Sequence, residues 1–469
     1  MNLRLAEAPS VAIVGGGLAG LAAGSALSAA GFRVTLFERR PFLGGRASSY
    51  QHPGTNEIVD NCQHVLLGCC TNLIGFYERT GVAGKIRWYD RLTFLEPGGR
   101  ASEIGASFLP APFHTAPSFI AADCLGLRDK VAIARAMLVL MSSGIKDRAE
   151  SFLDWLKRHQ QTERAIERFW KTVLVSALNE DLDRISVAYA AHVFRESFLK
   201  SAGAGRMGVP RVPLTELYNA AGDYIRVRNG DIRLRSAVDA FRVEDSQTSL
   251  SINGWRLGFD YLVLAVSFDQ LDRLLANLPE AQPLRESLKQ FQPSPITGIH
   301  LWFDVPISEL DHAVLLDRTI QWMFHKSRLL DRERQWAASG SYIELVVSSS
   351  KSLVEESRAQ IIDLALKETR EFFPGAVAAN LVKATVIKEV HATYSPQPGI
   401  DRYRPGNATI WPRVFLAGDW TATGWPATME GAVRSGYLAA QAVARAAGQR
   451  NVTYLIPDLP PSGLMRLFR

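Results

Sequence analysis

Residues 11–38, VAIVGGGLAGLAAGSALSAAGFRVTLFE, restrict the fold more than any other stretch of the chain. Val11 to Val14 reads as a short apolar strand, Leu18 to Ala30 as an alanine-rich close-packed helix, and Arg33 to Glu38 as a second strand. This is the opening of a βαβ unit, which commits the chain to a parallel sheet covered by helices. The special residues within it have separate physical reasons. Gly15 permits the tight turn, and Gly17 lets the backbone at Leu18 and Ala19 approach a pyrophosphate at the helix N-terminus. Gly20 allows close helix–sheet contact. Glu38, eighteen residues past Gly20, is placed to accept both ribose hydroxyls, and its charge disfavours a 2′-phosphate.

The same stretch lies in the longest uncharged run, Ala8 to Phe32, which by hydropathy could pass for a membrane span. Glycines at 15, 16, 17, 20, 24 and 31 make it a poor helix, and no cleavage-like cassette follows. Ala136 to Ile145 is closed off by Arg135 and Lys146, well short of the ~20 residues a spanning helix needs. No transmembrane segment is expected. With 469 residues, 47% apolar and 21% charged, the chain reads as globular and too long for one ordinary core, so two domains or one large insertion are expected. Cys62, Cys69, Cys70 and Cys124 form neither a CxxC pair nor a disulfide framework, which fits a reducing cytoplasm and no zinc site. The net charge of +6 comes from scattered basic residues, and no basic-aromatic module points to nucleic acid.

Beyond the first unit, Thr71 to Tyr218 reads as mainly helical, with Ser151 to Lys171 amphipathic. Tyr224 to Val243 alternates as strands would, with Asn229-Gly230 as a hairpin turn, and Tyr261 to Val266 is a buried strand. Ile296 to Asp304, Trp322 to Lys326 and Tyr342 to Ser348 read as a second sheet, followed by a helix from about Ser352 to Phe373. Val414 to Ala417 returns to a buried strand, and Glu430 to Ala446 closes with a helix. The expected fold is α/β: a Rossmann-type cofactor domain assembled from 9–70, 219–295 and 401–450. Into it is inserted a mixed α+β substrate domain, mainly helical over 71–218 and sheet plus helix over 296–400. Residues 451–469 form a C-terminal tail.

The cofactor site extends past the first motif. In LGGRASS, Gly44 and Gly45 allow an irregular backbone, and Arg46 offers a charge-assisted donor to phosphate. That extension separates FAD enzymes from plain NAD dehydrogenases. Far downstream, VFLAGDWTATGWPATMEGAVRSGYLAAQAV begins as a buried strand ending at Gly418-Asp419 and leads into a helix near Thr428, Met429, Gly431 and Ala432. Asp419 can hydrogen-bond the ribityl or pyrophosphate region, and the helix N-terminus can stabilise negative charge on a reduced flavin. Arg39 and Val238 complete the expected cofactor contacts. Trp420 and Trp425 either flank the isoalloxazine or serve as core aromatics.

Together the dinucleotide fingerprint, GGRASS and AGDW…TMEGAVRSG resemble the FAD-dependent amine oxidase and phytoene desaturase superfamily. Within it, VDNCQHVLLGCCTNL, FLEPGGR, LPAPFHTAPSF, MGVPRVPLTELY and GWPATMEGAVRSG are similar to the hydroxysqualene dehydroxylases, the squalene-associated flavoproteins of hopanoid biosynthesis. The resemblance implies non-covalent FAD and reduction of hydroxysqualene to squalene, with hydride from reduced flavin and loss of water. Such a reaction needs a hydride donor, an acid and an apolar tunnel. Asp60 and His64 follow the first flavin segment and are the candidate acids, with Tyr394 in ATYSPQPG as another donor. Cys62, between the first two, is assigned to the substrate pocket with Trp420 and Trp425. Leu109 to Phe119 and Val131 to Ile145 are the expected substrate wall. In the tail, Leu464, Met465, Leu467 and Phe468 alternate with Arg466 and Arg469, a pattern suited either to peripheral contact with anionic lipid or to packing on its own domain. Other readings are a carotenoid-type desaturase, an amine oxidase and a non-catalytic lipid escort. A single dinucleotide fingerprint leaves the electron donor unassigned.

Overall fold

The computed structural model describes residues 8–141, 149–244, 247–331 and 340–467. Its centre is a five-stranded parallel sheet in the order Asp231–Arg233, Arg33–Phe37, Ser10–Val14, Tyr261–Leu264, Val414–Leu416. Alternation along Ser10–Val14 sends Val11 and Ile13 into one core and Ala12 and Val14 into another, as a strand covered on both faces requires. On the first side lie the helices Leu18–Ala29, Leu214–Arg226 and Met429–Ala446. Their close approach depends on small residues: a Cβ at Gly436 would stand 2.2 Å from the Ala19 carbonyl oxygen. The second side is covered by the antiparallel strands Ala240–Val243, Thr248–Ile252 and Trp255–Phe259.

The second sheet has seven strands, in the order Leu381–Tyr394, Pro293–Phe303, Ser341–Ser348, Trp322–His325, His312–Leu315, Arg91–Leu95, Ala101–Gly105. One face, carrying Leu301, Ile343 and Leu345, packs against the helix Arg358–Phe372, which starts from a Ser357/Gln360 capping box. From the opposite face, Phe324 and Val346 meet Cys62, Met207 and Val209.

Within the 71–218 stretch, Arg91–Leu95 and Ala101–Gly105 extend the second sheet. Arg91–Leu95 joins the rest of that sheet through His312–Leu315, more than two hundred residues on, so no local pattern announces the pairing. Asn229-Gly230 is not a hairpin. Tyr224 belongs to Leu214–Arg226, Asn229 takes a left-handed φ of 62°, and Gly230 N donates to Ile225 O at 3.1 Å, closing a helix C-terminus. The amphipathic run from Ser151 is interrupted after Arg158, and a new helical segment starts from a second cap, Thr162, whose hydroxyl accepts from Ala165 N. The tail packs on its own body: Leu464 N donates to Ala111 O at 2.9 Å and Met465 is buried, while Leu464 and Leu467 face outward. Phe468 and Arg469 lie outside the described residues. No described helix is long and apolar enough to cross a membrane.

Candidate active site

The carboxyl ends of the parallel strands open into one cavity of about 930 Å³ that continues to the face of the seven-stranded sheet that carries Phe324 and Val346. Gly15, Glu38, Ala265 and Gly418, each just past a strand, line it. Open α/β sheets bind ligands at this position.

At the sheet end the backbone forms a cradle. Gly15 has φ +113°, and a Cβ there would meet the Ala265 carbonyl oxygen at 2.4 Å. Gly17 has only Gly45 Cα near its missing Cβ, at 3.9 Å. The helix after it has no side-chain cap and no acid in its first turn. Its N-terminal amides are therefore left for an anion, and Gly17, Leu18 and Ala19 line the cavity. Gly20 does not line it. Its place is steric, because a Cβ would sit 2.0 Å from Gly15 O. Glu38 accepts from Gly16 N and Arg40 N, both at 2.7 Å, so each carboxylate oxygen keeps acceptor capacity for a hydroxyl. Arg39, Gly45 and Val238 are also on the wall.

The two distant halves meet directly. Arg46 Nη2 donates to Asp419 Oδ1 at 2.7 Å across 373 positions of sequence, and Nη1 donates to Ala392 O at 2.8 Å. Thr428, Met429 and Ala432 reach the cavity. Gly431 instead shapes the turn: its amide caps on Thr428 Oγ1 at 3.1 Å, and a Cβ would meet Pro426 O at 2.4 Å.

At the other end, Asn61 to Val65 runs past the cavity immediately after the strand Ile58–Asp60. His64 Nδ1 lies 2.8 Å from Cys62 O. A carbonyl only accepts, so Nδ1 carries the proton and Nε2 is left as an acceptor. Burial lowers the His64 pKa and favours this neutral form. Burial also pushes the Cys62 thiol well up, so it stays protonated.

Asp60, expected as an acid, stands behind this wall. Oδ1 accepts from Ser49 Oγ at 2.6 Å and Leu214 N at 3.1 Å, and Oδ2 from Lys326 Nζ at 2.7 Å. Burial opposes its charge, but the Lys326 ammonium and these bonds outweigh burial and hold the carboxyl below its ordinary value. An ionised, fully engaged carboxylate has no proton to give. Lys326 is itself buried, donates to Gln63 Oε1 at 2.7 Å, and lies 3.2 Å from Glu344, in ion-pair range but poorly aligned for a hydrogen bond. Burial prevails at Glu344 over this attraction and raises its pKa to about 7.

Three further expectations are corrected. Tyr394 is buried away from the cavity, its hydroxyl 3.0 Å from that of Tyr189 and its ring beneath Arg404. Trp420 is fully buried and donates to Val266 O at 3.0 Å. Trp425 packs edge-on to His192, with their centroids 5.0 Å apart. Both tryptophans are core aromatics, and neither lines the cavity. The aromatic wall consists of Trp322 and Phe324, stacked at 5.5 Å and 7°, with Ile296 and Val346 beside them. The i, i+2 spacing of Trp322 and Phe324 on a strand was the available signal. None of the described residues from Leu109 to Met141 lines the cavity, and 142–145 lie outside the described residues. The apolar wall comes from the sheet.

Residues 18–444 match the family described as flavin containing amine oxidoreductase. The chain is 26% identical to a 15-cis-phytoene desaturase of Synechococcus elongatus, over 92% of this chain and 95% of that protein. It is 27% identical to a zeta-carotene desaturase of Synechocystis sp., over 92% and 96%. Among solved structures, an oxidoreductase from Methanosarcina mazei superposes with a TM-score of 0.70 at 18% identity, covering 93% of this chain and 100% of that one. Cyclohexylamine oxidase from Brevibacterium oxydans superposes with 0.66 at 16% identity, covering 94% and 100%. At these identities the two structures speak for the fold.

Proposed function

Because the chain belongs to the flavin containing amine oxidoreductase family, with FAD as its cofactor, we propose that it transfers a hydride between flavin and a polyisoprenoid chain. The substrate we assign is hydroxysqualene, reduced to squalene with loss of water. The observation that carries the polyisoprenoid reading is one cavity that is glycine-lined and ionic at the parallel sheet and apolar at Ile296, Trp322, Phe324 and Val346. The choice of hydroxysqualene rests on the sequence stretches, from VDNCQHVLLGCCTNL to GWPATMEGAVRSG, that are similar to hydroxysqualene dehydroxylases. When bound, FAD supplies the hydride donor or acceptor at N5.

The residues divide the remaining work. The bare amides after Gly17 hold the diphosphate, Glu38 holds the ribose, and Arg46 with Asp419 joins the two cofactor segments. Trp322, Phe324 and Val346 exclude water and hold the isoprenoid. His64 presents Nε2 to the substrate. For the reductive reaction it must first gain a proton and then pass it to the departing hydroxyl.

A desaturase reading has its own support. The curated relatives quoted above are carotenoid desaturases, and they favour it over dehydroxylation. A neutral His64 is also ready, as it stands, to accept the proton that accompanies hydride removal. The two directions predict opposite pH limbs. Dehydroxylation should speed up as pH falls through the lowered His64 pKa, whereas desaturation should slow over the same range. Anaerobic single turnover separates them: photoreduced protein with hydroxysqualene, followed by flavin absorbance and squalene mass, against oxidised protein with 15-cis-phytoene. Reoxidation with squalene formation supports the first reading and flavin bleaching by phytoene the second; neither event rejects the polyisoprenoid assignment. His64→Ala should lower the active direction by about 10²–10⁴-fold. Asp60→Asn should chiefly lower stability.

A further inference from the structure

Leu109 to Phe119 and the helix Leu127–Met141 do not line the cavity, and much of their apolar surface faces outward. Phe108 is 96% exposed, Ile120 68%, Leu127 79% and Leu138 63%. Two independent features make this more than scattered apolar surface. No Asp, Glu, Lys or Arg occurs between Glu103 and Asp123. The only titratable group in that stretch, His114, is buried and held neutral by burial.

On the helix, Leu127, Val131, Ala134 and Leu138 are all exposed. At 3.6 residues per turn they fall within an arc of about 60°. The helix's charged residues are Arg128, Asp129, Lys130 and Arg135. Asp129 is buried, accepting from Gly126 N and Thr162 Oγ1, so the outward charge is entirely basic. Arg128 and Arg135 fall on one flank of the apolar stripe and Lys130 on the other. The pieces are joined: Lys130 Nζ donates to Ile120 O at 2.6 Å, and Leu464 N to Ala111 O at 2.9 Å. The second bond brings the exposed Leu464, Arg466 and Leu467 to the 106–120 loop.

We propose that the 106–120 loop, the outward stripe of Leu127–Met141 and the Gly463–Leu467 turn form one docking face for an anionic lipid bilayer. Apolar side chains enter the acyl boundary while arginine and lysine heads stay with lipid phosphates, an arrangement charge and geometry both favour. A second protein copy would bring the same basic flanks together and be repelled. The reading draws on the polyisoprenoid assignment only for its purpose, so the test contains no substrate.

The full-length holoprotein is sedimented with phosphatidylcholine vesicles, with and without phosphatidylglycerol, at low and high ionic strength. Binding should require phosphatidylglycerol and weaken with salt. Replacing Leu127, Val131 and Leu138 together by Ser should lower vesicle partition by about tenfold or more. Arg128→Gln with Arg135→Gln should reduce binding and flatten its salt dependence. These are surface positions, and retained flavin absorbance verifies folding. The proposal fails if the holoprotein stays in the supernatant with both vesicle types, or if the triple variant partitions like the wild type. It fails equally if light scattering finds a dimer that the triple variant dissolves, which would make the face a protein interface.

Discussion

Lys326 is one buried cation facing two carboxylates, and the asymmetry of its contacts decides the protonation of both. Asp60 takes the aligned hydrogen bond together with Ser49 and Leu214, whereas neither carboxyl oxygen of Glu344 has a hydrogen-bond partner among the described residues. Below about pH 7 the cluster therefore holds an ammonium, a carboxylate and a carboxylic acid, with one positive and one negative charge. Lys326→Met should destabilise the fold by about 3–5 kcal/mol in denaturant titration, because it strands a buried charge. The Glu344 pKa is raised from the ordinary 4.5 to about 7, so the stability from its protonated form is complete below about pH 4.5 and is lost as pH rises to about 7. Asp60, whose pKa is lowered, acts in the opposite sense, and its stabilisation is lost only in stronger acid. Relative to Glu344→Gln, wild-type stability should fall across that upper window and level off above it, as paired thermal melts would show. At this scale, legibility follows sequence distance. Glu38, Arg46 and Asp419 could be picked out because each belongs to a motif with its own local logic. Lys326 and Glu344 could not, since Lys326 is 266 positions from Asp60 and nothing around either residue marks it. Asp60 is unsuited to the role of acid for a reason equally hidden, since its pKa depends on a partner its own segment does not reveal.

The two helices that flank the parallel sheet, Leu18–Ala29 and Met429–Ala446, both begin at the cavity and touch through Gly436. Packing at that point is backbone against backbone, so no flexible side chain can yield. Gly436→Val should cost about 1–3 kcal/mol of stability. It should also weaken FAD retention, because tilting either helix moves an N-terminus off the cofactor; thermal melting and release of flavin fluorescence would measure the two effects. The central strands of the parallel sheet were legible because a strand buried on both faces shows as an unbroken apolar run, as in Val11 to Val14 and Tyr261–Leu264, whereas the polar edge strand Asp231–Arg233 gave no such signal. Arg91–Leu95 and Ala101–Gly105 were not, because each alternates weakly and is fixed by a partner strand rather than by its own propensity. Asn229-Gly230 misled because an asparagine–glycine pair serves a helix C-terminus as readily as a hairpin.

The cavity proposed to seat FAD lies between two sheets, so the bound cofactor would hold the fold together as well as serve chemistry. Adding FAD to apoprotein at about 100 times its Kd should raise stability by about 2.7 kcal/mol, visible as a concentration-dependent melting temperature. Arg46→Met should lessen that gain by removing the ion pair with Asp419 that bridges the cofactor segments. The α/β class and the two-sheet plan were readable because the repeated return to buried strands is itself a topological statement. Which stretches would wall the cavity was not readable, since apolar runs such as Leu109 to Phe119 look alike whether they face a core, a ligand or the outside. The parallel sheet takes its strands from the beginning, middle and end of the chain, Val414–Leu416 being both an edge and the last to be made. During translation the glycine turn leaves the ribosome long before its counterpart at Asp419 and Thr428, for 373 positions separate the paired Arg46 and Asp419. A nascent chain that has not yet reached Thr428 therefore offers flavin only one wall of its seat, and tight retention of the prosthetic group should begin only once that segment is made.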